Sequence, residues 1–389
     1  MRSLSKTWNS LLSHPSFIKS HLDHSKDTND EILLVFQSRS ISKDIPVTAY
    51  ISPNLQLANS VKVYMDSLRG FVVGLVNGLV CLESEECCTI WNPSLSASID
   101  LPPYTIDGDS DSDYNYSDSD SDYNISYGDL RKNERFYYSR NSNFKFGFDP
   151  KKNDYKIVKL TYGYCNYDDR ILHWLPVEVF SVLKGSWESI TERFPSHVER
   201  ILNMNEFVVD GYDGRLHYLC KVKISVSERT KVTIVAFDLD DETFSEIAFP
   251  DSIQYHRLRM ELGVLSGKFC VMLNVSNGDC EVWVMENYGV ATSWVKRHVI
   301  PKCKGDDIFP IGITLKNHFV LEHGNHRVLS LYDQEASTFK DFKGVKPFSS
   351  FTVVQYVDSL VWVTPAKWAN NDVCVSSSQI EKKQHSLDD

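Results

Sequence analysis

A mainly β chain, propeller-like with about five or six blades and a short helical segment in front, is predicted by three observations. A strand-and-turn unit recurs roughly every 50 residues, each unit carries an aromatic anchor at the same place, and the strands are apolar on both faces. Blades stacked around an axis bury both faces of each sheet, whereas a barrel or sandwich with one wet face alternates polar and apolar residues.

The composition fits that class and narrows the rest. Of 389 residues, 42% are hydrophobic and 12% aromatic, enough for a sizeable core and a lean towards strands. A formal net charge of −11 argues against a nucleic-acid-binding surface. The longest apolar run, Phe71 to Leu82, spans twelve residues and contains Gly74, Asn77 and Gly78. A membrane span needs about twenty, so no membrane association is expected. The opening Met1-Arg2-Ser3-Leu4-Ser5-Lys6 leads into no apolar signal-peptide core. Nine cysteines, an odd count without repeated C-x-x-C pairs, read as a reduced protein of the cytoplasm and/or nucleus.

Leu4, Trp8, Leu11 and Leu12 fall at i, i+4, i+7 and i+8, the apolar stripe of a helix. His14-Pro15 ends it, because the residue before proline avoids the α region. Ser16 then caps a short second turn with Phe17, Ile18 and Leu22, and residues 23–30 read as a polar linker. Beyond this, residues 196–206 offer at best one more short helix.

The repeat begins after the linker. Phe180 precedes Trp187 by seven residues, Phe237 precedes Phe244 by seven and Tyr332 precedes Phe339 by seven. Trp283 leads to Trp294 eleven residues on, as if four were inserted in the turn, and Thr89-Ile-Trp91-Asn-Pro-Ser resembles the same strand and turn. The anchors Phe180, Phe237, Trp283 and Tyr332 lie 57, 46 and 49 residues apart. An upstream half is shared too: Gly78-Leu-Val-Cys-Leu, Gly214-Arg-Leu-His-Tyr-Leu, Gly267-Lys-Phe-Cys-Val-Met and Asn317-His-Phe-Val-Leu each read as a turn followed by a strand. Five units fit between residues 67 and 343, and flanking strands at 31–37, 61–65 and 351–363 can complete a further blade. An open array is the alternative to a closed ring. Residues 107–124 hold seven Asp and no Lys or Arg, too charged to pack, and are expected as a disordered surface loop. The tail 364–389 is expected to be loose.

No catalytic pattern emerges. Phosphate-cradling glycine loops and a G-x-S-x-G elbow are absent, and Gly263-Val-Leu-Ser266-Gly267 has the wrong spacing for one. His323 and His326 lie three apart without the helix that would aim them at zinc, so a turn between strands explains them. Asp109, Asp111 and Asp113 alternate like the start of a calcium loop, but Tyr114 stands where the glycine belongs and the closing Glu is missing. The aromatic anchors read as blade packing, and Cys87-Cys88 has no basic neighbour to activate a thiol. No cofactor or metal is expected: a non-catalytic binding protein, with a propeller enzyme as the least favoured alternative.

The N-terminal run Leu4-Ser-Lys-Thr-Trp8-Asn-Ser-Leu11-Leu12-Ser-His-Pro15-Ser-Phe17-Ile18-Lys-Ser-His21-Leu22 closely resembles the second half of an F-box. The rest resembles the plant F-box-associated interaction domain of S-locus and defence-related F-box proteins. The matching motifs include Asn77-Gly-Leu-Val-Cys-Leu82, Trp91-Asn-Pro-Ser94, Phe146-Gly-Phe-Asp-Pro-Lys-Lys-Asn-Asp-Tyr-Lys-Ile-Val158, Val177-Glu-Val-Phe-Ser181 with Gly185-Ser-Trp187, and Glu281-Val-Trp-Val-Met285. The resemblance implies a partial F-box at 1–22 and a kelch-like propeller domain at 31–363. It also implies the receptor subunit of an SCF-type ubiquitin ligase, with a Skp-type adaptor, a cullin and an unidentified target protein as partners. Trp8, Leu11, Leu12, Pro15, Phe17 and Ile18 are the implied adaptor-binding residues. The family's opening Leu-Pro segments do not precede Met1, so the alternative expectation is a propeller binding protein decoupled from the ligase.

Overall fold

The computed structural model describes Ser10 and residues 12–27, 31–37, 47–57, 71–84, 87–104, 138–165, 171–202, 207–208, 211–223, 230–250, 253, 259–303, 305–324, 326–345 and 351–363. The acidic stretch 107–124, the expected strand at 61–65 and the tail 364–389 lie outside them.

Among the described residues, Ser10 and Leu12 are helical, and helix α1 (Pro15–Asp27) then precedes the strands. Then come β1 (Ile32–Gln37), β2 (Val47–Ile51) and β3 (Gln56–Leu57), followed by β4 (Phe71–Val76), β5 (Leu79–Glu83), β6 (Cys88–Asn92) and β7 (Ala97–Asp100), which form blade 1. Blade 2 contains β8 (Tyr138–Asp149), β9 (Asp154–Cys165), β10 (Ile171–Trp174), β11 (Glu178–Ser181) and β12 (Ser186–Ser189); β10 and β11 share one edge of β9. Next are β13 (Val198–Ile201), β14 (Phe207–Val208), β15 (Arg215–Lys223), β16 (Thr230–Asp238) and β17 (Phe244–Ala248), of which all but β14 make blade 3. Blade 4 is β18 (Met260–Leu265), β19 (Lys268–Asn274), β20 (Cys280–Met285) and β21 (Trp294–Ile300). Blade 5 is β22 (Ile308–Ile313), β23 (Phe319–His323), β24 (Val328–Asp333) and β25 (Thr338–Asp341). The last strand, β26 (Phe351–Tyr356), pairs antiparallel with β1 from Ile32↔Tyr356 to Gln37↔Phe351 and completes blade 6 with β2 and β3.

The described strands therefore form a six-bladed propeller, and the ring is closed by joining the two ends of the chain in one sheet. Packing closes it as well. Six apolar clusters, one at each blade-to-blade interface, run around the ring; the cluster between blades 5 and 6 joins Leu331 and Phe342 to Leu33, Tyr50 and Val353.

The seven-residue spacing has a geometric cause. Phe180↔Trp187, Phe237↔Phe244 and Tyr332↔Phe339 are directly opposite each other across the hairpin of the third and fourth strands, with ring centroids 5.3, 4.8 and 4.7 Å apart. Five residues past each anchor the chain turns left-handed, at Ser96, Gly185, Glu242 and Ser337, with φ of 49°, 67°, 56° and 51°. The residue just after the anchor ties the turn: Asn92, Ser181, Asp238 and Asp333 accept backbone N–H bonds from residues two to three positions on. The shared upstream half is equally concrete. Asn77-Gly78, Asp213-Gly214 and Ser266-Gly267 all have positive φ at both central residues, the turn whose twist matches paired strands.

Three expectations are corrected. In blade 4 the residue facing Trp294 is Met285, while Trp283 faces Lys296; a 3₁₀ turn at Ala291–Ser293 lengthens this hairpin. The anchor positions thus run Phe237, Met285, Tyr332. Residues 198–201 form strand β13 rather than a helix, because the inner edge of β15 needs a ladder partner. Helix α1 continues to Asp27, so residues 23–27 are not linker; His24 and Lys26 stand in its last turn, where positive charge opposes the helix dipole.

Blade 3 has a further peculiarity. β13 pairs only with Cys220–Val222 of β15, after which the chain crosses inward and β14 pairs parallel with Val353 and Val354 of β26 on the far side of the ring. One blade thus supplies a short strand that braces the closing blade from inside.

Candidate docking helix and binding face

A propeller has two unlike ends. Hairpins joining strands one to two and three to four in each blade lie at one, the hairpin end. Connections from strand two to three, and from blade to blade, leave from the other, the crossover end.

Helix α1 sits at the hairpin end, because it leads into the start of β1. Pro15 opens it, where a missing N–H costs nothing, and the His14 carbonyl accepts from Ile18 N at 3.1 Å. His14 Nδ1 and Ser16 Oγ share a 2.7 Å hydrogen bond, so the cap position belongs to His14 rather than Ser16. Leu22 is buried, and Phe17, Ile18, His21 and Ser25 are half-buried along the same side. Lys26 Nζ donates to Asn77 Oδ1 at 3.2 Å, and His21 Nε2 lies 3.7 Å from Asp358 Oδ2.

This placement bears on each residue implied in adaptor binding. Trp8 and Leu11 lie outside the described residues. Pro15 is exposed, and Leu12, Phe17 and Ile18 are half-buried. The helix's outward positions Lys19, Ser20, Asp23, His24 and Asp27 are polar and exposed. The apolar side of α1 is therefore the side carrying Leu22, and among the described residues implied in adaptor binding Pro15 is the one that is exposed rather than half-buried.

The crossover end is chemically different. Glu322, fully buried, accepts from Arg259 Nη1 at 2.7 Å and from Arg327 Nε at 2.6 Å, joining blades 4 and 5 near the mouth of the ring. Ser330 Oγ donates to Asp341 Oδ1 at 2.6 Å and lies 2.9 Å from His323 Nε2. With Ser330 turned to the carboxylate and buried, this trio is a cross-strand tie. Gly324, His326 and Arg327 lie in the turn between β23 and β24, where the two histidines were expected. Phe71, 71% exposed, stands at the same end on the first residue of β4. The connection between β7 and β8, which contains the acidic 107–124, also leaves from here.

Lys145, on the inner strand of blade 2, holds Nζ 5.3 Å from the centroid of the Tyr218 ring, and burial pushes its pKa down. It lies alongside the stretch of β15 that, among the described residues, β13 does not cover. Sequence reasoning missed it, because a lone Lys within Phe144-Lys-Phe-Gly-Phe reads as a solvent-facing position. Among the described residues no group of three or more His, Cys, Asp or Glu is arranged to hold a metal ion, and no helix is long and apolar enough to cross a membrane.

The family described as F-box associated beta propeller domain matches residues 28–344, the span from the end of α1 through β25. The chain belongs to this family. Among curated relatives, the F-box protein CPR1 of Arabidopsis thaliana is 27% identical over 381 residues, covering 92% of this chain and 83% of that protein. The F-box protein At4g22390 of the same plant is 26% identical over 377 residues, covering 92% and 85%. A third, F-box protein At3g07870, is 25% identical over 331 residues, covering 75% and 70%. The family resemblance carried by the motifs is thereby borne out, and the F-box-associated motifs acquire physical roles. Asn77-Gly78 is a hairpin turn that also holds α1, Trp91 and Phe180 are inter-blade anchors, and Phe146-Gly-Phe-Asp-Pro-Lys-Lys-Asn-Asp-Tyr is the hairpin of β8 and β9.

Proposed function

We propose that this F-box-associated propeller is the target-binding subunit of an SCF-type ubiquitin ligase, acting in the cytoplasm and/or nucleus without catalysing a reaction itself. The observation that carries the reading is the division of labour between its ends. The F-box-like helix is fastened to the hairpin end, which also presents exposed Ile51, Leu183, Val290 and Leu315, so a Skp-type adaptor and its cullin are met there. The opposite end collects the inter-blade connections, and connections of this kind are where a rigid scaffold carries specificity. A target held at the crossover end would face away from the ligase core by the depth of the ring. Cysteines 81, 88, 220, 270 and 280 are free thiols, which supports a reducing compartment.

Co-purification with a Skp-type adaptor tests the reading, using this chain from Met1 beside a version preceded by a complete F-box. Retention by both supports the receptor role for the chain as it stands. Retention by the completed version alone favours the decoupled binding protein. Retention by neither overturns the ligase reading.

A further inference from the structure

The chain does not end with ring closure. After β26, residues 357–363 run back across the hairpin end of blade 1, and the Asn92-Pro93-Ser94 turn grips them. Asn92, wholly buried, donates from Nδ2 to Ser359 O at 3.0 Å and to Val361 O at 2.6 Å. Ser94 N donates to the Tyr356 hydroxyl at 3.0 Å, Ser94 Oγ bonds both that hydroxyl and the Asp358 carboxylate, and Ser359 N donates back to Ser94 Oγ at 3.1 Å. Val361 and Val363 reach into the apolar cluster between blades 1 and 2. The strap passes so close to the Asn77-Gly78 turn that a Cβ on Gly78 would lie 2.3 Å from Ser359 Cβ. Helix α1 touches both neighbours: Lys26 meets Asn77 on the turn, and His21 meets Asp358 on the strap.

We infer that the 357–363 strap, clasped by Asn92 and Ser94, fixes helix α1 to the propeller, making Ser94, Asp358 and Asn77 positioning residues for the F-box. The physical need is plain. A helix of 13 residues is marginal in water by itself, and α1 has one fully packed apolar side chain, Leu22. Its order therefore depends on what it rests against, and the strap supplies the contact of His21 with Asp358 beside that of Lys26 with the Asn77 turn. The meaning of the joint rests on the receptor reading, since a rigid joint sets how far a bound target stands from the adaptor. Its existence can be tested without any ligase.

Hydrogen–deuterium exchange of the purified chain reads the joint directly, comparing the intact protein with Ser94→Ala, Asp358→Ala and a version ending at Tyr356. Amides of residues 18–27 are expected to exchange at least tenfold faster in all three, while those of β15 and β16 in blade 3 keep their protection. Unchanged protection of the helix without the strap overturns the inference. So does equal loss in helix and blade 3, which would make the strap part of ring closure instead. Because no adaptor is present, failure here is separate from failure of the ligase reading.

Discussion

His217 lies buried between blades 3 and 4, with Nε2 2.6 Å from the Tyr288 hydroxyl and its ring 4.4 Å from that of Phe269. Burial, then the charges of Lys145 and Arg215, hold its pKa down to about 3. An unfolded histidine titrates near 6.5, so between pH 6.5 and 3 the unfolded chain binds a proton that the fold refuses, and stability falls as pH falls through that window. On going from pH 7.5 to pH 5, about 2 kcal/mol should be lost through this residue, by the rule of about 1.4 kcal/mol per pH unit. Denaturant melts of His217→Phe should show a flatter loss across the same interval; a slope equal to the parent's would mean that the imidazole is solvated. Burial keeps the thiols neutral as well, with their pKa moving the opposite way. Burial raises Cys220, Cys270 and Cys280 well above an ordinary thiol, so they should stay unmodified by a thiol reagent at pH 8 until the ring is unfolded. Labelling of any of them in the native protein at the rate of a free thiol would contradict that packing.

At the level of one hairpin, the outer turn of each blade is a test of backbone conformation. The station five residues beyond the anchor is left-handed whether Ser96, Gly185, Glu242 or Ser337 occupies it. Glycine reaches that region without strain, so Ser337→Gly should stabilise by about 0.5–1 kcal/mol and Gly185→Ala should destabilise by about 1 kcal/mol. The same sign for both in thermal melts would mean that side-chain contacts, not φ, govern the turn. Emptying an anchor is more severe: Phe237, fully buried, should cost about 3–5 kcal/mol on truncation to alanine. These hairpins were legible in the sequence because the anchor and its partner are both aromatic and a fixed turn length puts them seven apart. The outer hairpin of blade 6 escaped notice, although its flanking strands at 31–37 and 351–363 did not, because Tyr50 faces Leu57, the same seven-residue pair without a second aromatic ring, and β3 is only two residues long. Met285 hid for a related reason: Trp283, two residues earlier on the same strand, is the louder signal in a lengthened hairpin.

Across the whole molecule, closure is the property that composition and spacing could not decide. The pairing of β26 with β1, with the apolar packing of blade 6 on blades 5 and 1, distinguishes a ring from an open array, and the paired strands are separated by nearly the length of the chain. Nor could periodicity foresee β14, whose pairing with β26 answers a gap in three dimensions rather than a local pattern. Removing β26 should therefore expose the apolar faces of blades 1 and 5 together. A version ending at Lys343 is expected to lose its cooperative unfolding transition, whereas retention of a sharp transition would show that five blades suffice. The family motifs, by contrast, were legible because each serves a local turn or anchor. Binding specificity was not, since it resides in connections whose sequence obeys no repeat. What remains to be tested most directly is the polarity of the particle. Lysine-specific cross-linking of the purified chain, carrying a complete F-box, to a Skp-type adaptor would read it. Links from the adaptor to Lys19 and Lys26 on the helix, with none to Lys302 at the crossover end, are the expected result; links concentrated at Lys302, or no complex at all, would contradict a receptor that docks by its hairpin end.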